Sequence, residues 1–586
     1  MENLKNNIYF AKIFLKEKSI MKKLIECVPN FSEGRDMSII KQITDVIESI
    51  EGIKLLDVDP GSATNRTVVT FVGEPEYVCE AAFLAVKKAS EIIDMSKHKG
   101  AHPRMGATDV CPLVPIANIT MEETVELARK LAKRIGEELE IPIFCYEFAA
   151  FKEVRRNLAN CRTGEYEALS KRITSQEWKP DFGSNQWNEK TIRTGATAVG
   201  ARNFLVAFNV NLNTTSVNKA NSIAYDVREK GRVKRDGHPI TGKIVKDENG
   251  NQVFEPGLLK SVKAIGWYIE EYEIAQISMN LTDTNITPVH VAFDTVCERA
   301  AANGIRVTGS ELVGVMPLKS IIDAGKYFLH KQGRSTGIAD KEIIKIAVKS
   351  LGLDELKPFD PKKNIIEYML EDNNNRLIDM DLVKFCHTTA SESPAPGGGS
   401  IAAYLGALGA ALGTMVANLT ANKFRHDETW KNFSDWAEKG KYYHDELLKM
   451  VDEDTNAFNK IMDAFGLPKI SEEEKIIRKN AIQNATKYAI EVPFKTMKLC
   501  ADSMNIMYEM AKNGLEASVS DAGVGALAAR AGVQGAFLNV KINCGTYNDK
   551  DYVKEILNKG QQIENQAIKF EKEILEIVNS KIEINC

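Results

Sequence analysis

Two regimes of hydrophobic patterning divide the chain. In the first, short apolar runs alternate with helical periodicities. LIECVPNF (24–31), IKLLDVD (53–59), RTVVTFVG (66–73), residues 109–116 and IPIFCYE (141–147) read as strands, with helices over 36–50, 75–95 and 121–139 between them. Around residue 200 the rhythm restarts with FLVAFNVNL (204–212), a helix near 215–229, a strand pair near 262–281, a helix over 288–303 and a strand around 305–308. Elements in this order build sheets with helices laid on them. The pattern therefore predicts two α/β (α+β) sandwich-like subdomains, 22–200 and 201–345. Inside the second, residues 232–257 carry Asn249-Gly250 between alternating positions, which predicts a hairpin in a surface insertion. From about 336 the strand signals fade, and 346–378 reads as a linker broken by Pro358 and Pro361 and closed by the polar LEDNNNRL (370–377). Beyond it the period is helical over 400–421, 429–464, 471–488, 491–513, 522–534 and 550–581, which predicts an all-α helical-bundle domain over 379–586.

Composition narrows the class. A chain of 586 residues exceeds what one core supports, as the pattern already implies. With 76 basic against 80 acidic residues there is no global cationic field, which excludes a general nucleic-acid binder but not a local basic pocket. Ten cysteines without a C-x-x-C pair argue against a disulfide scaffold or a zinc site and place the chain in a reducing cytoplasm. Residues 1–21 are basic and amphipathic, with Lys12 and Lys16 in the apolar stretch, and read as an arm or an alternative start before Met21 rather than a signal peptide. IAAYLGALGAALGTMVANLTA (401–421) has the roughly 20 residues a membrane span needs. Its Gly/Ala content, Asn418 and the pair Gly409 and Gly413 instead predict a buried helix at a bundle or dimer seam, with no membrane span.

Four clusters carry residue types suited to chemistry. SKHKGAHPRMGATDVCPLVPI (96–116) gathers His98, His102, Arg104 and Asp109. Histidine moves protons near neutral pH, but Gly100 and Pro103 break the helix that two metal-binding histidines four apart would need, so a catalytic loop and a structural loop both remain open. In LLDVDPGSATNRTVVTF (55–71), Asp57 and Asp59 alternate at a strand end and share a face; Asp59 could orient a histidine or merely form the turn. SPAPGGGSIAAYLGA (393–407) sets Gly397, Gly398, Gly399 and Ser400 at a helix start, where backbone N–H groups suit an anion or simply form a cap. It is neither a Walker loop nor a G-x-G-x-x-G fingerprint. In HDELLKMVDEDTNAFNKIM (444–462) the apolar positions 447, 448, 451, 458 and 461 put Asp454 on their face and turn Asp452 and Glu453 away. A buried carboxylate is either salt-bridged or a proton carrier with a raised pKa.

Longer motifs resemble the formimidoyltransferase-cyclodeaminase family, bifunctional folate enzymes of histidine degradation. LIECVPNFSEGR (24–35), LLDVDPGSATNRTVVTFVG (55–73) and DMSKHKGAHPRMGATDVCPLVP (94–115) are similar to its transferase N-terminal subdomain. TGATAVGARNFLVAFNVNL (194–212), IGWYIEE (265–271) and LVGVMPLKSIIDA (312–324) are similar to its second subdomain, SLGLDELKPFDPKKNIIEYML (350–370) to its linker, and SPAPGGGSIAA with VDEDTNAF (451–458) to its cyclodeaminase domain. The resemblance implies transfer of a formimino group from N-formimino-L-glutamate to N5 of tetrahydrofolate, then closure to 5,10-methenyl-tetrahydrofolate with loss of ammonia. It implies His102 as the transferase general base, Asp59 as an orienting partner and Asp454 as the cyclodeaminase acid–base group. It also implies folate contacts between Gly183 and Gly195, where SNQWNEKTIRT departs from the family pattern, and at Gly397, Gly398, Gly399 and Ser400. Tetrahydrofolate, often polyglutamylated, would be substrate and carrier, with no metal and no prosthetic group, in a homo-oligomer. The rivals are a transferase fused to a methenyl-tetrahydrofolate cyclohydrolase-type domain and a non-catalytic folate-binding scaffold.

Overall fold

The computed structural model describes residues 23–62, 64–100, 103–237, 241–370 and 376–582. His102 and the arm over 1–21 lie outside the described residues. Two compact units form, each described by itself: residues 23–324 with 351–370, and residues 325–350 with 376–582.

The first unit holds two sheets. Its larger sheet is built from β1 (Leu24–Cys27), β2 (Asn30–Phe31), β3 (Lys54–Gly61), β4 (Arg66–Gly73), β5 (Thr108–Ala117), β6 (Ile143–Glu147) and β7 (Thr197–Ala201). β1 and β2 are one strand interrupted at Val28-Pro29, where proline has no N–H for the ladder, and both lie between β4 and β5. β3 closes one edge antiparallel to β4, while β5, β7 and β6 run parallel at the other. The hydrophobic pattern misses β7: TAVGA is short and small-sided, and it sits just before the stronger run that opens the next sheet. Helices α1 (Met37–Glu48), α2 (Pro75–Ile92) and α3 (Met121–Leu139) cover one face over Ile25, Cys27, Val69, Phe71, Leu113 and Val199. α4 (Glu165–Arg172) covers part of the other through Leu169, against Phe144 and Tyr146. A six-residue helix, α5 (Glu189–Thr194), leads into β7.

The second sheet is antiparallel, in the order β9-β10-β8-β11, from β8 (Val206–Leu212), β9 (Val262–Ile269), β10 (Ile274–Leu281) and β11 (Val307–Val313). α6 (Val217–Val227) and α7 (Val289–Ala302) cover the face that buries Phe208, Val210, Leu212, Ile277 and Met279. The insertion over 232–257 folds as two short strand pairs, Arg232–Val233 with Phe254–Glu255 and Arg235–Asp236 with Lys243–Ile244. Its tip is the predicted hairpin: the Asp247 carboxylate accepts from the Asn249 and Asn251 amides, and Gly250 takes a φ of +81°. The unit boundary falls in α8 (Leu318–Lys331), and α9 (Asp340–Leu351) leads back towards the first unit.

In the second unit α10 (Leu382–Thr389) precedes five long helices: α11 (Gly398–Lys423), α12 (Thr429–Gly466), α13 (Glu472–Asn513), α14 (Val519–Cys544) and α15 (Lys550–Lys581). α11 is long and apolar enough to cross a membrane, yet 61% of its apolar window is buried inside the fold, on Ala402, Ala403, Gly406, Ala410, Gly413 and Ala417. Its glycines let α12, α13 and α14 approach closely. The pattern predicts a break between 488 and 491, but α13 runs through it with Pro493 inside. Proline deprives the Ala489 carbonyl of its helical partner, and the Asn543 side chain of α14 donates to that oxygen instead, at 2.6 Å.

Two candidate active sites

The first site forms around the loop that carries the histidine motif. Asn65, in the left-handed region at φ 49°, ties three segments together: its side chain accepts from the Gly34 amide and donates to the Lys99 carbonyl, while its own carbonyl meets His98 Nε2 at 2.8 Å. Arg104 donates to His98 Nδ1 and pairs with Glu165 and Glu167 at the start of α4. Both ring nitrogens of His98 are therefore committed, with its proton on Nε2. Below the loop, a β-bulge opposite Asn30–Phe31 re-aims Asp109, whose fully buried carboxylate accepts from the Met105 amide and pairs with Arg162 and Arg66. Burial holds the Arg66 guanidinium down at about 10 despite Asp109.

The sheet face that bears this loop is polar. Register puts Glu26, Thr70, Asp57 and Asp59 on it, because Glu26 pairs with Val72, Asp57 with Thr70 and Asp59 with Val68. Asp57 is half-buried and shifted up by that burial and by Asp59; Lys357, beyond the second sheet, opposes the shift. Asp59 is exposed. Glu26 is 2% exposed, its Oε1 lacks a partner, and desolvation raises it to about 7. The helix-free face of the second sheet is a ladder of buried amides that ends on the half-buried Glu311 and the exposed Glu355 carboxylates. Trp267 Nε1 donates to Gln276, Gln276 to Asn211 and Glu311, Asn209 to Glu311, and Asn211 to Glu355. The two faces approach where Gly314 lies beside the Asp57 carboxylate and where Glu147 feels Lys263. Such a cleft offers acceptors to a flat, N–H-rich heterocycle and carboxylates to an amidinium.

Gly195 lies against the histidine-motif loop, bridged to Gly106, where a Cβ would overlap the Met105 carbonyl, and a Cβ on Gly183 would overlap the carbonyl of Ile141. Sequence reasoning missed Glu26, Asn65 and the amide ladder. An acidic residue in the apolar run LIECV and the alternating asparagines of FNVNL were the available signals.

The second site joins two motifs 54 residues apart. Ser400, at the start of α11, donates its amide to Asp454 Oδ2 at 2.9 Å and its hydroxyl to the same oxygen at 3.2 Å. A Cβ on Gly399 would overlap Asp454 Oδ1, so glycine is required for the carboxylate to reach the helix end. Burial raises Asp454, and the two Ser400 hydrogen bonds oppose the rise. Asp454 thus keeps Oδ1 turned to the glycines. Asp452 accepts from the Leu377 amide and Glu453 from the Tyr488 hydroxyl, so both turn from Asp454 as the helix face predicts. Leu447 and Val451 on that face are fully buried, whereas Phe458 is exposed beyond the body of the bundle. No group of three or more metal-ligating side chains occurs among the described residues.

Comparison with known proteins accounts for both units. Residues 24–202 match the model of a formiminotransferase domain, N-terminal subdomain, 207–371 that of a formiminotransferase domain, and 381–562 that of a formiminotransferase-cyclodeaminase. A formimidoyltransferase-cyclodeaminase of Gallus gallus is 42% identical over 91% of this chain and 95% of its own length. A glutamate formimidoyltransferase of Streptococcus pyogenes is 42% identical, covering 53% of this chain and 94% of its own. A methenyltetrahydrofolate cyclohydrolase of Methylorubrum extorquens is 37% identical, covering 34% and 95%. With the full-length match spanning both units and both sites, the chain belongs to the formimidoyltransferase-cyclodeaminase family.

Proposed function

We propose that the chain moves a formimino group from N-formimino-L-glutamate to N5 of tetrahydrofolate in its first unit and closes the product to 5,10-methenyl-tetrahydrofolate in its second, releasing glutamate and then ammonia. In the transfer, N5 attacks the formimino carbon and the glutamate nitrogen leaves. A base takes the N5 proton and returns it to the departing nitrogen. His98 is held on both nitrogens, which supports His102 as that base, with Asp57 and Asp59 on the adjoining face to meet the cationic amidine. In the closure, N10 attacks the same carbon and a protonated amine must leave. The observation that carries this reading is Asp454, kept ready to bind a proton by burial and held on one oxygen only by Ser400. Gly399 and Ser400 lie against it, Gly397 and Gly398 lead into them, and all four are suited to folate contact.

The nine described cysteines are all free thiols, which supports a cytoplasmic setting. Exposed Leu408, Met415 and Leu419 on α11, with Val524, Leu538 and Ile542 on α14, support homo-oligomerisation through the bundle.

Incubation with formiminoglutamate and tetrahydrofolate should give ammonia and methenyl absorbance together. His102→Ala should abolish transfer yet still cyclise supplied 5-formimino-tetrahydrofolate, and substantial transfer by it removes His102 from the mechanism. Asp454→Ala should accumulate the formimino intermediate. The cyclohydrolase reading, favoured by the Methylorubrum extorquens relative, requires ring opening by water without ammonia release.

A further inference from the structure

We propose that Asn539 orients the substrate in the second site, its side-chain oxygen accepting a hydrogen bond from the nitrogen that leaves as ammonia. The inference rests on the cyclodeaminase reading of Asp454. α14 packs on the first turns of α11 where a Cβ on Gly532 or Gly535 would crowd Ala402, and one turn further Asn539 reaches the helix start. A Cβ placed on Gly398 would lie 3.4 Å from Asn539 Nδ2 and 3.7 Å from its Oδ1, while the next residue, Gly399, faces Asp454 Oδ1. The carboxamide and the carboxylate therefore bracket two successive glycines. Asn539 Nδ2 donates to the Gly535 carbonyl at 2.9 Å, which fixes the amide's orientation and leaves Oδ1 without a donor among the described residues.

The chemistry needs such an acceptor. When N10 attacks, the N10–carbon bond forms and the iminium nitrogen becomes an amine carrying two N–H bonds. The proton released by N10 passes through Asp454 to that amine's lone pair. The carbon–nitrogen bond then breaks, ammonia takes the electron pair, and the methenyl cation remains. An oxygen accepting one N–H turns the lone pair towards the carboxylic acid.

The full chain supplied with 5-formimino-tetrahydrofolate tests this by ammonia release. Asn539→Ala should lower kcat at least tenfold with KM within threefold and an unchanged melting temperature. Asn539→Asp keeps an acceptor but sets a second carboxylate beside Asp454, so it should turn over with the acidic limb of its kcat–pH profile displaced upward. The other charged groups near Asp454 are engaged elsewhere, Asp452 with the Leu377 amide and Glu453 with Tyr488 of α13, so they do not supply that displacement. A kcat within twofold of the parent for Asn539→Ala, or an unmoved limb for Asn539→Asp, overturns the proposal; should the alanine variant fail to fold, the aspartate variant decides alone. Asp454→Asn separates the two readings. Full activity in that variant removes the acid–base role of Asp454 whatever Asn539 does, while its inactivity beside an active Asn539→Ala removes Asn539 alone.

Discussion

At the scale of single residues, Glu26 is the most exacting position in the first unit. An ionised carboxylate at 2% exposure without a partner on one oxygen is destabilising, and desolvation lifts its pKa from 4.5 to about 7. The folded chain thus holds this proton more tightly than the unfolded chain. Stability from this group is greatest below about pH 4.5 and falls as pH rises towards and past 7. Glu26→Gln should therefore raise stability at pH 8 by up to about 3 kcal/mol, a gain that fades by pH 4.5, as denaturant unfolding at the two pH values would read. The acidic letter was legible inside LIECV, but its depth was not, because burial on the sheet face away from α1–α3 depends on strands 40 to 90 residues away. Asp454 was legible in part: Val451, three residues before it, is buried as the pattern placed it, although Phe458, four residues after, is exposed. Gly399 was only half legible: a glycine run announces room, and the carboxylate that fills the room comes from another helix. Gly399→Ala should abolish ammonia release and destabilise the bundle by about 1–3 kcal/mol, measurable by thermal unfolding.

At the scale of elements, the long helices followed the periodicity closely except where chemistry across the fold intervened. The predicted break between 488 and 491 does not form, and the helix persists through Pro493 because Asn543 supplies from α14 the donor that the proline lacks. No local pattern reports such a partner 50 residues on. Asn543→Leu should leave the Ala489 carbonyl buried and unpaired, a loss of about 1–3 kcal/mol. Pro493→Ala restores a backbone donor, so the double variant should recover most of it, and a simple sum of the two single effects would refute the substitution of one donor by the other. β7 escaped for the opposite reason: five small residues buried on both faces carry no alternation, and only their place between two parallel neighbours makes them a strand.

At the scale of the whole molecule, two compact units each carry a site built from their own residues. Calorimetry should resolve two unfolding transitions, with Glu26→Gln at pH 8 raising one and Asn543→Leu lowering the other; a single transition moved by both would show a common cooperative unit. The order of domains was readable from the switch between periodicities, because strand and helix repeats differ over many residues. The clefts were not, since they depend on which sheet faces lack helices. The overlap between Gly399 and Asp454 also constrains descent. Any side chain at 399 displaces the carboxylate, so neither position can drift while closure is under selection. In lineages that have abandoned the reaction, substitution at 454 should come first, and only then should 399 be free to vary.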